Sequence, residues 1–193
     1  MKNMRLTVCI GIMCGWLAAG MLHAGTRPDH VRPVEEDGSR VWLPVIRPVE
    51  GAEVEITYKG KVSPTIAVAI AELKNAWKGE PVLLEKKRTG QGDGFAITSS
   101  EHQVRILSST EAGLLYGVYS LLRMQAAGQV TVPLSVTEQS VYDLRILNHW
   151  DNLDGTVERG YAGCSLWNWE ELPGTLSPRY EAYARANASV GIN

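Results

Sequence analysis

The chain is poor in cysteine, and it carries no large excess of charge of either sign. Its 193 residues include three cysteines, of which Cys9 and Cys14 lie in an apolar N-terminal segment. Without that segment Cys164 remains alone, which excludes an intrachain disulfide and a cysteine set for zinc. The formal net charge of −2 gives no basic footprint for nucleic acid. The composition thus predicts no metal or organic cofactor and no nucleic-acid partner.

Long apolar runs are also absent, except for one at the N-terminus. Lys2 and Arg5 precede the run Leu6–Leu22, and the small residue Ala24 follows it. This order is typical of a secretory signal peptide, here residues 1–24. The alternative is a membrane anchor, but the run is shorter than the ~20 residues that span a bilayer, and glycines interrupt it. We expect an exported protein, periplasmic or extracellular, with no membrane attachment after cleavage.

A phosphate-binding loop is missing as well. Gly90, Gly92 and Gly94 are spaced suggestively, but no P-loop lysine pattern follows them and a strand comes next. The spacing of apolar residues around them predicts strands near Val41–Leu43, 53–58, 82–84, 95–98 and 104–107, the last two forming an antiparallel hairpin.

Two helices are predicted among these strands. Ser63 and Pro64 cap and open the first, whose apolar stripe is Ile66, Ile70, Leu73 and Trp77. The second begins at 109–111 and ends at Gly128, with an inward face of Leu114, Val118, Leu121 and Leu122, bordered by Tyr116, Tyr119 and Arg123. Together these elements predict a two-layer α/β domain over residues 25–136, with its core at about 40–130.

A second unit is predicted over residues 137–193, after a crossing segment at 130–136. The apolar run Leu144–Leu147 is typical of a buried strand, and Ser177 with Pro178 opens a helix that runs to about Val190. Strand, polar tip, loop and helix form the repeating unit of a (β/α)8 barrel. Because such a barrel needs ~250 residues, we expect a truncated barrel here.

The polar tip of that unit holds the candidate site residues. Trp150 can stack on the C–H face of a sugar, unless it is a core residue. His149, Asp151 and Asn152 can bond sugar hydroxyls or can hold the loop. Arg159 can bind a substrate carboxylate, or it can pair with Glu158. Trp167 and Trp169 can rim the site, although packing of a long loop is the usual role of such residues.

Several segments resemble glycoside hydrolase family 67, the bacterial and fungal α-glucuronidases. The likeness is specific over 144–193 and looser upstream, where Pro44-Val45 stands in place of an expected Arg-Tyr. The matching segments are Leu147–Gly155, Glu158–Gly163, Ser165–Trp169, Ser177–Tyr180, Tyr183–Asn193, Glu36–Gly38 with Trp42-Leu43, Gly92–Ile97, Gly113–Gly117 and Leu121–Arg123.

The resemblance implies a hexosaminidase-like accessory domain followed by a barrel. It implies removal of α-1,2-linked (4-O-methyl)glucuronic acid from xylooligosaccharides of glucuronoxylan, with inversion, and it leaves a homodimer of the complete protein open. The catalytic carboxylates of the family come from later barrel strands, so none is assigned within residues 1–193. Asp151 as the general acid is possible from its chemistry alone, but the resemblance argues against it.

Two other classes of function remain as alternatives. One is a noncatalytic carbohydrate-binding or scaffold domain, which would not need a complete barrel. The other is a β-hexosaminidase-like hydrolase, which has the same domain order, although the loop Asn148–Asn152 argues against it.

Overall fold

The computed structural model describes residues 53–88 and 92–193. The predicted signal peptide and the strand candidate Val41–Leu43 lie outside the described residues. The strands are β1 (Ile56–Tyr58), β2 (Val82–Lys86), β3 (Phe95–Ser99), β4 (Val104–Ser108) and β5 (Ser135–Glu138). The helices are α1 (Pro64–Ala76), α2 (Glu111–Ala126) and α3 (Pro178–Ser189). A mixed five-stranded sheet and three helices confirm the predicted α/β class.

Polar caps set the first residues of α1 and α2. The Ser63 hydroxyl accepts a hydrogen bond from the Ile66 N–H at 3.3 Å, and Pro64 occupies the first turn. The Thr110 hydroxyl accepts from the Gly113 N–H at 3.0 Å. Each hydroxyl satisfies a backbone donor that has no partner inside its helix. Both predicted helices are therefore confirmed, with their starts at the predicted residues.

The sheet is mixed, with the strand order β1-β2-β4-β3-β5. β1, β2 and β4 run parallel, whereas β3 is antiparallel to both β4 and β5. The pairing of Phe95 with Ser108 and of Ser99 with Val104 confirms the predicted hairpin. We call β1–β5 together with α1 and α2 the sheet unit.

The core lies between one face of the sheet and the two helices. Leu84, Ile97 and Ile106 of the sheet are fully buried, as are Leu73 of α1 and Val118 of α2. This is the two-layer packing that the apolar periodicities predicted. The exception is Tyr119, expected at the border of the α2 face but found at 0% exposure. It can be buried because its hydroxyl donates a hydrogen bond to Glu72.

The segment 130–136 was expected to cross into a second unit, but it returns to the sheet. Ser135–Glu138 pairs with β3 as the fifth strand, and Leu134 is buried beside it. The sheet therefore continues past residue 136, where the accessory domain was predicted to end. The sequence did not predict this strand, because its exposed residues are polar and it has too few apolar residues to show a strand pattern.

The prediction of a buried strand at Leu144–Leu147 is wrong for this structure. These residues form no strand, and the side chains of Leu144, Ile146 and Leu147 are 70%, 63% and 48% exposed. A parallel strand needs a neighbour for its backbone hydrogen bonds. None of the described strands lies beside this segment. The barrel start stays a prediction.

The helix predicted after Ser177 is confirmed as α3, and it packs against α2. Tyr180, Ala186 and Ser189 of α3 are buried, and Arg123 of α2 donates a hydrogen bond to the Ser189 carbonyl. Across the described part of the chain, no helix combines the length and apolar character that crossing a bilayer requires.

Candidate functional site

The polar motif after Leu147 folds into a tight loop held by its own backbone. The Glu158 N–H donates to the Trp150 carbonyl at 2.8 Å, and the Asn152 N–H donates to the Thr156 carbonyl at 2.8 Å. Two isolated antiparallel β-bridges, one between Asp151 and Val157 and one between Thr156 and Cys164, connect the backbone of the loop. We call residues 148–165 the Trp150 loop. Its backbone geometry is fixed locally, without help from a sheet.

Asn152 serves the interior of this loop. Its side-chain amide donates to the Thr156 hydroxyl at 2.8 Å and to the Glu158 carbonyl at 2.6 Å. Glu158 has a positive φ of 55°, in the left-handed region that non-glycine residues rarely adopt. Both bonds of the Asn152 amide thus lie inside the loop and hold its backbone.

His149 connects the loop to α3. Its Nε2 lies 2.5 Å from the Tyr183 hydroxyl, and the two groups share a hydrogen bond. Its Nδ1 lies 3.7 Å from an Asp151 carboxylate oxygen. The ring also makes edge contacts with Trp167 and Tyr183, with centroids 5.6 and 5.5 Å apart. Both ring nitrogens thus face a polar partner, and the imidazole anchors the residue that precedes Trp150.

Trp150 and Arg159 are the site candidates whose side chains point outward. Trp150 is 55% exposed, so its ring is accessible to a ligand from solvent and is not part of the core. Arg159 is exposed, and within the described residues its side chain makes no hydrogen bond or ion pair. The nearby Glu158 carboxylate raises the pKa of the exposed Tyr161 phenol.

Trp167 packs beneath the loop rather than rimming it. Its ring contacts Tyr180 and Tyr183 of α3 at centroid distances of 5.2 and 5.6 Å. The Tyr180 hydroxyl accepts from the Asn168 N–H at 2.7 Å and donates to Glu171 at 3.1 Å. Trp169 is 57% exposed. The aromatic residues after the loop thus form a support between the loop and α3.

A cleft of about 470 Å³ lies at the C-terminal end of α3, beside β3 and β5. Arg145 lies along it and donates to Asp93, to the Gly191 carbonyl at 2.5 Å and to the Tyr142 carbonyl at 2.6 Å. The hydrogen bond that Arg145 donates to Asp93 holds the pKa of Arg145 above its usual range, and burial raises the pKa of Tyr116. Arg145 was not among the predicted site residues, although a charge inside the apolar run 144–147 indicates a paired role.

A second missed cluster joins the three helices. Glu72 of α1 is 8% exposed and accepts bonds from Arg185 of α3 and Tyr119 of α2. Glu72 lies next to Leu73 on the apolar face of α1. This position in the sequence could have predicted an ion pair, because a buried carboxylate needs a partner. Elsewhere in the described ranges, no three or more histidine, cysteine or acidic side chains gather into a metal-binding group.

Comparison with known families places this loop and helix. Residues 124–193, from the end of α2 through the Trp150 loop to the last residue, match the glycosyl hydrolase family 67 middle domain. The matched segment of this chain is thus similar to glycoside hydrolase family 67. The resemblance stated from the motifs is therefore confirmed, and the Trp150 loop and α3 lie within the matched segment.

Curated fungal proteins are similar to this chain over about half of its length. Probable alpha-glucuronidase A of Aspergillus clavatus is 39% identical over 102 residues, and that of Neosartorya fischeri is 41% identical over 102 residues. Alpha-glucuronidase A of Aspergillus tubingensis is 38% identical over 101 residues. Each comparison covers 52% of this chain and 12% of the relative. The matched part of this chain thus spans about an eighth of the length of these relatives.

Proposed function

We propose that the complete protein is an α-glucuronidase that releases α-1,2-linked (4-O-methyl)glucuronic acid from xylooligosaccharides, with inversion. The observation that carries the proposal is the family 67 match over the segment that holds the Trp150 loop. The names of the similar fungal proteins support the activity. The xylan-derived substrate follows from the resemblance of the motifs.

The exposed ring of Trp150 supports the sugar-binding part of this proposal. Its indole is open to solvent while its backbone carbonyl is held inside the loop, so the ring is presented on a fixed base. A flat aromatic face stacks on the C–H face of a pyranose. Trp150 would therefore form one wall of the uronic-acid pocket.

Arg159 would supply the positive charge for the uronic carboxylate. It is exposed on the same loop, and its guanidinium is not engaged by Glu158. A guanidinium binds a carboxylate through two parallel hydrogen bonds. This arrangement distinguishes an acidic sugar from a neutral one.

The acid and base of the reaction are not assigned to residues of the loop. Inverting hydrolysis needs a carboxylic acid that keeps its proton and a carboxylate base, roughly 6.5–9.5 Å apart. Asp154 accepts from the Thr156 hydroxyl at 2.7 Å and from the Thr156 N–H at 2.9 Å, and these bonds lower its pKa. A carboxyl with a lowered pKa is a poor general acid near neutral pH. The proposal therefore assigns catalysis to carboxylates outside these residues.

We further propose that Leu144–Leu147, the loop and α3 form the first βα unit of a barrel. After α3 the chain comes back beside the segment Leu144–Leu147. There the Asn193 N–H donates to the Arg145 carbonyl at 2.9 Å, and the Arg145 N–H donates to the Asn193 side chain at 2.9 Å. A parallel strand that follows a crossover helix occupies such a position. Pairing there would cover the apolar side chains that are now exposed.

An assay of the complete gene product on aldouronic acids tests the activity. We expect release of (4-O-methyl)glucuronic acid whose first-formed anomer is β, as inversion requires, measured by NMR during the reaction. Binding of the oligosaccharide without release would favour the noncatalytic carbohydrate-binding alternative. Release of an N-acetylhexosamine from a chromogenic substrate would favour the β-hexosaminidase-like alternative.

Export is the remaining part of the proposal. The charged start, the apolar run and the small residue Ala24 support cleavage after residue 24. N-terminal sequencing of the protein recovered from the periplasm or medium of the producing cell tests it. A recovered protein that still begins at Met1 would contradict it.

A further inference from the structure

Helix α3 has two faces that meet different parts of the molecule. Arg185, Ala186 and Ser189 lie on the face toward α1 and α2, where Ala186 and Ser189 are buried. Tyr180 and Tyr183 lie on the face toward the Trp150 loop. The helix is therefore the physical link between the sheet unit and the candidate sugar-binding loop.

The inner face is fixed by a two-bond ion pair. Arg185 Nε donates to one oxygen of Glu72 at 2.5 Å, and Arg185 Nη2 donates to the other at 2.8 Å. The Tyr119 hydroxyl donates to the same carboxylate at 3.1 Å. A guanidinium held by both oxygens has a defined direction as well as a defined distance. The pair thus fixes the rotation of α3 against α1.

The outer face of α3 contacts the Trp150 loop, so the orientation of α3 determines the position of that loop. Tyr183, two residues before Arg185, shares a hydrogen bond with His149 at 2.5 Å, and His149 directly precedes Trp150. Trp167 fills the space between His149 and the two tyrosines, with ring centroids 5.2 to 5.6 Å apart. A rotation of α3 would move Tyr183 and would break its bond to His149.

We propose that Glu72 and Arg185 are positioning residues for Trp150, acting through α3, Tyr183 and His149. The sheet unit would thereby set the orientation of the substrate-facing ring through α3, without contributing a residue to the Trp150 loop. This role in catalysis rests on the proposed function. A buried ion pair gives little net stability compared with apolar packing, but it fixes geometry, so a positioning role suits its chemistry.

Hydrogen exchange of the complete protein tests the positioning directly. The Asn152 and Glu158 amides are bonded inside the loop, so their exchange rates report its opening. We expect Glu72→Gln to speed their exchange by about three- to tenfold, the range that loss of a hydrogen bond of ordinary strength produces. We expect Tyr183→Phe to have a similar effect, because it cuts the same connection at the next step.

Matched variants separate positioning from simple loss of stability. Glu85→Gln removes the ion pair with Arg105 on the sheet, which is far from α3 in the topology, and should leave loop exchange unchanged. Arg185→Lys keeps the charge and should restore part of the protection that Arg185→Met loses. The double variant Glu72→Gln with Tyr183→Phe should exchange no faster than the faster single variant. The Ile97 and Ile106 amides of the core check that the sheet is intact.

Contrary results are equally distinct. If Glu72→Gln speeds amide exchange in α3 but leaves the Asn152 and Glu158 amides unchanged, then Glu72 holds the helix and does not position the loop. Additive effects of Glu72→Gln and Tyr183→Phe would mean that they act separately. Either result overturns the positioning role without touching the proposed activity, which is decided by the assay on aldouronic acids. If that activity exists, Glu72→Gln should raise KM more than Glu85→Gln does.

Discussion

At the scale of single residues, the polar motif divides into side chains that build the loop and side chains that remain available. Asn152 and His149 are engaged by Thr156 and Tyr183, whereas Trp150 stays exposed. The sequence predicted that these side chains lie close together, because they are adjacent in the chain. It left the role of Asn152 open, since only the fold shows which carbonyls its amide reaches.

Replacing Trp150 tests the sugar contact. In the complete protein we expect Trp150→Ala to lower kcat/KM for aldouronic acids by about tenfold or more, the factor equivalent to ~1.4 kcal/mol of lost stacking and burial. Leu153→Ala, at a fully exposed position of the same loop, is the control and should leave kcat/KM unchanged. Equal kinetics for the Trp150 variant and the wild type would make this ring structural.

Replacing Arg159 tests recognition of the carboxylate. We expect Arg159→Gln to raise KM for an acidic xylooligosaccharide by about tenfold, because a charge-assisted hydrogen bond contributes ~1.5 kcal/mol or more. Arg179→Gln, on α3, is the control for loss of a positive charge. If both variants raise KM equally, the effect is general electrostatics and not a contact.

The pKa of Tyr119 gives a pH dependence of stability. Burial, followed by the Glu72 carboxylate, raises this pKa above the ordinary 10.0, so the folded state keeps the phenol protonated. The stabilisation is complete below pH 10 and is lost above it, where the unfolded phenol ionises. Urea unfolding at about pH 8 and about pH 11 should show a smaller alkaline loss for Tyr119→Phe than for the wild type. Tyr142→Phe, at an exposed phenol, should match the wild type.

At the scale of elements, local signals predicted helices and the hairpin well. Ser63 and Thr110 carry caps that depend on a few neighbouring residues, and the apolar stripes of α1 and α2 need one buried side only. Strand β5 was not predicted, and the strand predicted at Leu144–Leu147 is absent. Both errors arise because a strand forms only beside a partner strand. For β5 the partner is β3, far away in the chain.

Gly117 on α2 is a position where close approach overrides helix propensity. A Cβ at this position would lie 2.6 Å from Ile106 of β4 and 3.3 Å from Phe95 of β3. We expect Gly117→Ala to destabilise the fold by about 1–3 kcal/mol, because overpacking outweighs the ~1 kcal/mol gain in propensity. Urea unfolding measures this. The exposed Ala71→Gly on α1 calibrates the propensity alone, and a stabilised Gly117→Ala would show that the helix shifts freely.

At the scale of the whole molecule, the sheet unit buries its apolar side chains in a core, whereas the segment 141–153 leaves apolar side chains exposed to solvent. Val141, Leu144 and Leu153 are 89%, 70% and 101% exposed. Exposed apolar surface that is contiguous along the chain marks an interaction site. We expect the 193-residue polypeptide to bind a hydrophobic dye, and Leu144→Ser with Ile146→Ser to reduce that signal by about half or more. Val68→Ser, at an exposed position of α1, is the control, and an equal fall there would contradict the assignment.

Helix α3 also limits how this chain can be recombined with its relatives. Its inner residues are matched to Glu72 and Tyr119, while its outer residues are matched to His149 and Trp167. A chimera that joins the sheet unit of one homologue to the loop of another would therefore need a hybrid helix, with each side taken from a different parent. Exchange at the boundary near residue 137, which keeps α3 wholly with the loop, would separate Arg185 from its acceptor unless the incoming sheet unit supplies an equivalent acid.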